Sequence, residues 1–350
     1  MKIAIVTDAW EPQVNGVVTT LKATTEELRK MGHQVTVLSH IGHKTIPCPG
    51  YQSIRLALFP AKKLIRDLAT VDPDAIHIAT EGPLGMAARR WCLKNNLTFI
   101  SSYHTQFPEY LRLRLPIPTS WTYAWLRRFH SKAIYTLVPT ESQKTRLKDN
   151  GFRHVKVWGR GVDTKIFNPN NPKTLNYPKP IMVYMGRTAI EKNIEAFLSL
   201  EMPGTKLVVG DGPDLAMLKQ KFPKAVFTGR KSGHELASWV AAGDVFVFPS
   251  KTDTFGLVNI EAMACGLPVT AYPVTGPKDI IKEGITGAMN ENLSLAINKA
   301  LTLNPQTCID YAQQSSWSKV TKTFASLLHN GRHSSPRRSL FDHEYMDLRT

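Results

Sequence analysis

NPNNPKTLNYPKP, residues 168–180, is dense in proline and asparagine, which disfavour the interiors of helices and strands and commonly join domains. The same rhythm runs on either side of it. Upstream, short β-branched runs (KIAIVTD at 2–8, QVTVLSH at 34–40, AIHIAT at 75–80, LTFISSYH at 97–104, AIYTLVP at 133–139) are separated by helix-length mixtures such as Val17 to Met31 and Gly85 to Asn95. Downstream the alternation restarts with IMVYMG (181–186), KLVVGDG (206–212), AVFTG (225–229), DVFVFPS (244–250) and LPVTAY (267–272). Strands alternating with helices build a parallel sheet wrapped by helices. The expected fold class is therefore α/β, with two doubly wound Rossmann-like domains facing each other across a cleft.

The expected divisions are 1–168 for the first domain and 169–304 for the second. Residues 305–330 carry Ile309, Ala312, Trp317, Val320, Phe324, Leu327 and Leu328 at helical spacing, which predicts one or two helices packed on the domain pair. Residues 331–350, with HSSPRRS, read as a flexible basic tail. Open parallel sheets bind ligands at the carboxyl ends of their strands, so the functional residues are expected in the cleft.

Composition narrows the class without choosing the function. The chain has 350 residues with 42% hydrophobic content, which excludes full disorder. Cys48, Cys92, Cys265 and Cys308 form neither a CxxC pair nor a disulfide framework, and a reducing compartment is expected. The opening MKIAIVTDAW is broken by Asp8, too early for a signal peptide, and no apolar run approaches the roughly 18 residues of a spanning helix. A cytoplasmic protein follows, with any membrane contact peripheral and on the inner face. The net charge of +16 favours polyanionic partners: nucleic acid, anionic lipid headgroups or nucleotide diphosphates.

In VYMGRTAIEKN (183–193), Gly186 and Arg187 directly follow a strand and Lys192 opens the next helix. A nucleotide-sugar donor loses a diphosphate, on which negative charge grows as the sugar bond breaks, and cations already aimed there oppose that cost. Arg187 and Lys192 suit the task; the competing reading is two solvated surface cations. FPSKTDTFGLVNIEAMACGLPV (248–269) joins a buried strand to a helix that begins near Phe255 or Gly256, whose free N–H groups and positive dipole end make an anion site with Leu257. One turn further on, Glu261 is positioned to accept hydrogen bonds from ribose hydroxyls. In VVGDGP (208–213), Gly210 and Gly212 suit a close approach of backbone to nucleotide, or form an ordinary turn.

The run from Asp253 to Glu261, together with GRTAIEKN and GDGP, resembles the retaining family 4 glycosyltransferases of the GT-B fold, bacterial glycolipid mannosyl- and glucosyltransferases among them, over most of residues 1–330. The family carries an acidic residue, seven intervening positions and then Glu; Asp253 stands here where Glu is usual, one methylene shorter, and Glu261 matches. The resemblance implies that Asp253 contacts the sugar, the other reading being a helix N-cap. It implies that the loop of FTGRKSGHEL (227–236), with Lys231, lies beside base and ribose. It also implies a glycine-rich loop after the first strand, which corresponds to Asn15 and Gly16 in TDAWEPQVNGVVTT (7–20), where backbone N–H groups come close to the donor phosphates. In SYHTQFPEY (102–110), His104 matches a histidine that contacts the transferred sugar, and the adjacent Tyr103 is a candidate acceptor contact. The implied reaction is hexose transfer from a UDP- or GDP-linked donor to a lipid or glycan acceptor, with retention by same-face attack.

Glu81, in TEGPLG (80–85), reads as an acceptor-hydroxyl contact or a helix cap. Between Leu111 and Lys132, Arg112, Arg114, Arg127 and Arg128 are interleaved with Trp121 and Trp125 and no acidic residue. This is either a surface for anionic lipid or a packed helix with solvated arginines. Asp72-Pro73-Asp74 has the spacing of a metal-binding DxD but precedes a strand and faces the wrong sheet end. No essential metal and no cofactor are expected, the nucleotide sugar being a substrate and Arg187, Lys192 and the helix end supplying the positive charge. Neither GxGxxG after the first strand nor GxxxxGK[ST] occurs. Two rival classes remain: a nucleotide-sugar epimerase of similar architecture, and a basic nucleic-acid-binding protein, for which no recognised motif is present.

Overall fold

Short strands buried on both faces alternate with helices in each half of the computed structural model, which describes residues 1–48, 51–112, 117–172 and 176–330. The first half runs β1 (Lys2–Val6), α1 (Gly16–Lys30), β2 (Gln34–Leu38), β3 (Thr45–Cys48), β4 (Tyr51–Ala57), α2 (Ala61–Val71), β5 (Ala75–Ile78), α3 (Pro83–Lys94), β6 (Ile100–Ser102), α4 (Phe107–Arg112), α5 (Thr119–His130), β7 (Thr136–Val138), α6 (Glu141–Asp149) and β8 (Val155–Val157). The second runs β9 (Ile181–Met185), α7 (Ile194–Leu198), β10 (Thr205–Val209), α8 (Leu215–Lys221), β11 (Val226–Gly229), α9 (Gly233–Ala241), β12 (Val245–Phe248), α10 (Leu257–Ala264), β13 (Val269–Ala271), α11 (Pro277–Ile280), β14 (Gly287–Met289) and α12 (Leu293–Ala300). Two helices follow, α13 (Pro305–Gln313) and α14 (Trp317–Asn330). The expected tail, 331–350, lies outside the described residues.

Each half builds one six-stranded parallel sheet, in the orders β2-β1-β5-β6-β7-β8 and β11-β10-β9-β12-β13-β14. Apolar residues on both faces of a strand demand cover on both sides. In β1, Ala4 and Val6 pack into one cluster with Trp91 and Phe99, while Ile3 and Ile5 join Leu21 and Leu28 on the other face. In β9, Val183 and Met185 meet Phe246 and Met263, while Met182 and Tyr184 meet Phe197 and Ile297. Strand order reverses between β1 and β5 and again between β9 and β12, so the loops after these strands open a crevice where ligands bind in such sheets.

The final segment divides its loyalty. Cys308 and Ala312 of α13 pack with Ile260 of α10 in the second half. Phe324 and Leu328 of α14 return to the first half, where they pack with Ile3, Ile5 and Trp158. The chain thus passes between the halves twice, and the two passages are joined where Val162 N–H donates to Ser315 O at 2.9 Å. A side chain at Gly161 would meet the Trp317 backbone at 2.5 Å, so the crossing is as close as glycine permits.

Two features depart from the sequence reading. The hairpin β3–β4, β8 and β14 were absent from it: β3 and β8 are short, β4 (YQSIRLA) holds a single β-branched residue and β14 (GAM) none. Lys192 does not open an α-helix but closes a 3₁₀ turn, Ile190–Lys192, ahead of α7. Asp72 and Asp74 stand where the sequence placed them, at the amino-terminal edge of the sheet, where the Asp74 carboxylate accepts the Lys2 N–H at 2.8 Å.

Candidate functional site

The loop from Pro249 to Gly256 carries β12 into α10, and its last residue can only be glycine. Gly256 has φ +84°, and a Cβ there would lie 2.6 Å from Asn259 Nδ2 and 2.9 Å from Phe248 Cζ. No side chain caps this helix end. Its first residue, Leu257, faces the start of α1: a Cβ built on Gly16 would be 3.4 Å from Leu257 Cδ1. Two helix amino termini, one from each half, therefore meet across the crevice, and their dipoles favour an anion between them.

The two ends are not equivalent. Asn15 Oδ1 accepts the amides of Val17 and Val18, both at 3.0 Å, which satisfies orphan donors of α1. This corrects the expectation that Asn15 offers its segment's N–H groups to phosphate: its side chain has consumed two of them. Gly16 and the uncapped Leu257 end keep their place at the crevice.

Behind the Leu257 end lie the ionisable groups. Lys192 Nζ reaches both oxygens of Asp253 at 2.8 Å, with side chains 20% and 15% exposed. Burial pulls the Lys192 pKa down, but Asp253, with Tyr184 and Glu191, outweighs it and the net shift is upward. Arg187 is half-buried on the same loop after Gly186. Asp253 also does not cap α10, whose N-cap position belongs to Gly256. Glu261, one turn into α10, is half-buried, has no hydrogen bond or ion pair from its carboxyl among the described residues, and is pushed up to about 7 by burial. Buried polar groups are ordinarily hydrogen-bonded, so a carboxyl left without a partner among the described residues marks Glu261 as a candidate ligand contact.

The first half brings His104 to the same place. Thr254 Oγ1 donates to His104 O at 2.7 Å, next to Asp253. Gln106 Nε2 donates to Asp253 O at 3.0 Å and its Oε1 accepts from Arg146 Nη1 at 2.7 Å, while Thr140 Oγ1 donates to Thr254 O at 3.4 Å. Ser142 adds a backbone bond to Asp279 Oδ1 at 3.0 Å and a hydroxyl bond to Oδ2. The His104 ring takes the Arg160 guanidinium on Nδ1 at 3.0 Å and rests on Trp158. Burial, then Arg160, holds its pKa well below the usual imidazole range, so the ring is neutral.

Several expected contacts find other employment. Tyr103 is fully buried with Tyr123, Leu126 and Phe152 and has no surface for an acceptor, because its ring completes the core under α5 and α6. Glu81 lies 3.1 Å from His130 Nε2, and α3 is capped by Asp8, whose Oδ1 accepts from Leu84 N–H at 3.0 Å. A Cβ on Gly210 would fall 1.8 Å from Gly186 O, and one on Gly212 2.3 Å from Thr188 O: these glycines let two loops of the protein itself nest together. Lys231 is paired with Glu235 at 2.5 Å and sits over Trp239. Phe255 packs on the core of the second half.

On α5, Thr122, Tyr123, Leu126 and Phe129 are buried, while Trp121 is 72% and Trp125 43% exposed beside exposed Arg127, Arg128 and Lys132. Exposed Arg112 and the 43%-exposed Phe107 lie on α4. Arg114 lies outside the described residues. Among the described residues there is no group of three or more His, Cys, Asp or Glu side chains arranged to hold a metal. Gln106, Thr254 and Arg160 escaped sequence reasoning: nothing local marks a residue whose partner is more than a hundred positions away, and Arg160 in WGRGVD carries no charge pattern.

Comparison with known proteins agrees with this geometry. Residues 14–166 match the model described as Glycosyltransferase Family 4, and residues 167–315 the model described as Glycosyl transferases group 1. A GDP-mannose-dependent alpha-mannosyltransferase of Mycobacterium tuberculosis is 31% identical over 315 residues, covering 83% of either chain. An alpha-monoglucosyldiacylglycerol synthase of Streptococcus pneumoniae is 28% identical over 352 residues, 87% of this chain and 79% of that protein. The sucrose-phosphate synthase structure from Thermosynechococcus elongatus superposes with a TM-score of 0.75 at 21% identity, over 94% of this chain and 98% of that one, which speaks for the fold alone. Two facing parallel α/β sheets, a crevice between opposed helix ends and these family matches lead to one statement: the chain belongs to glycosyltransferase family 4 and is a glycosyltransferase of the GT-B fold.

Proposed function

We propose that the enzyme transfers a hexose, with retention and without a metal ion, from a UDP- or GDP-linked donor to a lipid or glycan acceptor. The observation that carries this reading is the unpartnered Glu261 carboxyl one turn behind the uncapped end of α10. Ribose hydroxyls complete its hydrogen bonding, the diphosphate lies at the Leu257 and Gly16 helix ends, and Arg187 and Lys192 stabilise the charge that grows on it. Asp253 and His104 address the sugar, and attack comes from the face the diphosphate leaves. The GDP-mannose and diacylglycerol specificities in the names of the relatives support a hexose donor and a lipid-linked acceptor. The test is a screen of nucleotide sugars for acceptor-independent hydrolysis, followed by titration of the matching nucleoside diphosphate. Glu261→Ala is expected to weaken nucleotide binding about tenfold or more. Undiminished affinity removes Glu261 from the ribose role.

The exposed tryptophans and arginines of α5 support a second element of the same reading, docking on an anionic lipid surface at the inner face of a membrane. Aromatic rings favour the interface, and each cation near anionic headgroups gains about 1 kcal/mol. Among the described residues no helix is long and apolar enough to cross a membrane.

A further inference from the structure

Arg160 breaks a rule of protein interiors. It is 6% exposed, and no carboxylate among the described residues lies within ion-pair distance of its guanidinium. Buried charges are ordinarily paired, because leaving water is costly for them. Instead Nη1 is anchored by Trp158 O at 2.6 Å and Gly159 O at 2.9 Å, the guanidinium stacks over the Trp158 ring at 4.7 Å, and Nη2 points to His104 Nδ1 at 3.0 Å. A residue fixed at this expense by three separate contacts, with Nη2 on a ring at the seam of the two halves, has a task at that ring.

The chemistry of the contact defines the task. A guanidinium can donate but not accept, so Nδ1 must be the acceptor and the ring proton must sit on Nε2. Nε2 is buried and has no partner among the described residues. We infer that Arg160 is a positioning residue for His104: its hydrogen bond to Nδ1 keeps the imidazole proton on Nε2, so that the ring presents a donor, and no base, to the transferred sugar. This rests on the proposed role of His104 at the sugar. The other ionisable groups that bear on the ring are His77 and His130; burial lowers the His77 pKa to about 3, so that ring is itself neutral in the physiological range and Arg160 is the leading charge acting on His104. A neutral donor can hold a sugar hydroxyl while leaving the acceptor's proton to the departing diphosphate.

The experiment reads the tautomer directly in ligand-free full-length protein labelled with ¹⁵N-histidine. His104, identified by the resonance lost in His104→Gln, is expected to show protonated Nε2 and bare Nδ1 from about pH 8 down to about pH 6, where an ordinary histidine titrates. In Arg160→Met the resonance is expected to move to mixed tautomers and begin to titrate in that range. With GDP-mannose or UDP-glucose, whichever is turned over, Arg160→Met should lower kcat about tenfold or more with donor KM little changed, and should add an acidic limb to the pH profile. Arg160→Lys, which keeps a donor, should recover part of kcat. A proton on Nδ1 of His104 in the wild type overturns the inference, and this spectrum decides even if Arg160→Met fails to fold or neither donor is consumed. A folded Arg160→Met with wild-type tautomer and kcat overturns it as well.

Discussion

Lys192 reaches the crevice already holding Asp253, so on the proposed reading an incoming diphosphate and a carboxylate would share one ammonium. Lys192→Ala therefore acts twice. It removes charge stabilisation from the leaving group, expected to lower kcat about a hundredfold, and it leaves Asp253 half-desolvated and alone, expected to cost about 1–3 kcal/mol in unfolding. Steady-state kinetics and denaturant melts measure the two effects separately, and normal turnover at saturating donor would exclude Lys192 from the diphosphate. Glu261 carries the pH dependence. Its folded pKa of about 7 lies above the ordinary 4.5, so the stability it contributes is complete below the lower value and lost as pH rises through the higher. Glu261→Gln, permanently neutral, should gain melting temperature on the wild type between about pH 5 and about pH 8, in steps of roughly 1–2 °C per kcal/mol for a chain of this size. If Glu261 holds the ribose as proposed, the ribose hydroxyls bond more strongly to the carboxylate than to the neutral acid, so nucleotide affinity of the wild type should rise over the same interval and that of the variant should stay flat.

At the scale of elements, α5 divides cleanly between a buried face and an exposed face of tryptophan and arginine. Trp121→Ala with Trp125→Ala, which leaves the buried face intact, should reduce co-sedimentation with anionic vesicles severalfold without changing the melting temperature. Equal sedimentation of the wild type with neutral and anionic vesicles would mean that its arginines are merely solvated. The starts of α1 and α10 were legible because asparagine and glycine before an apolar-periodic run are strong local signals. The sheets were legible because β-branched runs recur at regular intervals. Strands β8 and β14 were not, being specified by the sheet edge they join rather than by an apolar run of their own. Tyr103 and His104 show the limit at the site: consecutive residues after a strand turn to different sides, so naming both for the cleft ignored the period of two. Gly210 and Gly212 were legible as close approaches, but only the fold reveals that the neighbour is the Gly186–Thr188 loop.

At the scale of the molecule, the two halves are tied at the site by Gln106, Thr140, Ser142, Thr254 and Asp279, and at the back by the Val162–Ser315 pairing. With positive charge supplied by side chains and helix ends, donor turnover should survive exhaustive chelation. Activity lost to chelator and restored by magnesium would assign a metal that the proposal omits.

The return of α14 to the first half has a consequence for how the chain comes to be folded. Phe324 and Leu328 belong to the cluster of Ile3, Ile5 and Trp158, so the hydrophobic interior built on β1 stays open until α14, more than three hundred residues further along, has emerged from the ribosome. The second sheet, with its nucleotide crevice wall, can close earlier in synthesis than the one that precedes it. A nascent chain halted before Trp317 would carry an uncovered apolar face on its amino-terminal half, a surface for chaperones rather than for substrate.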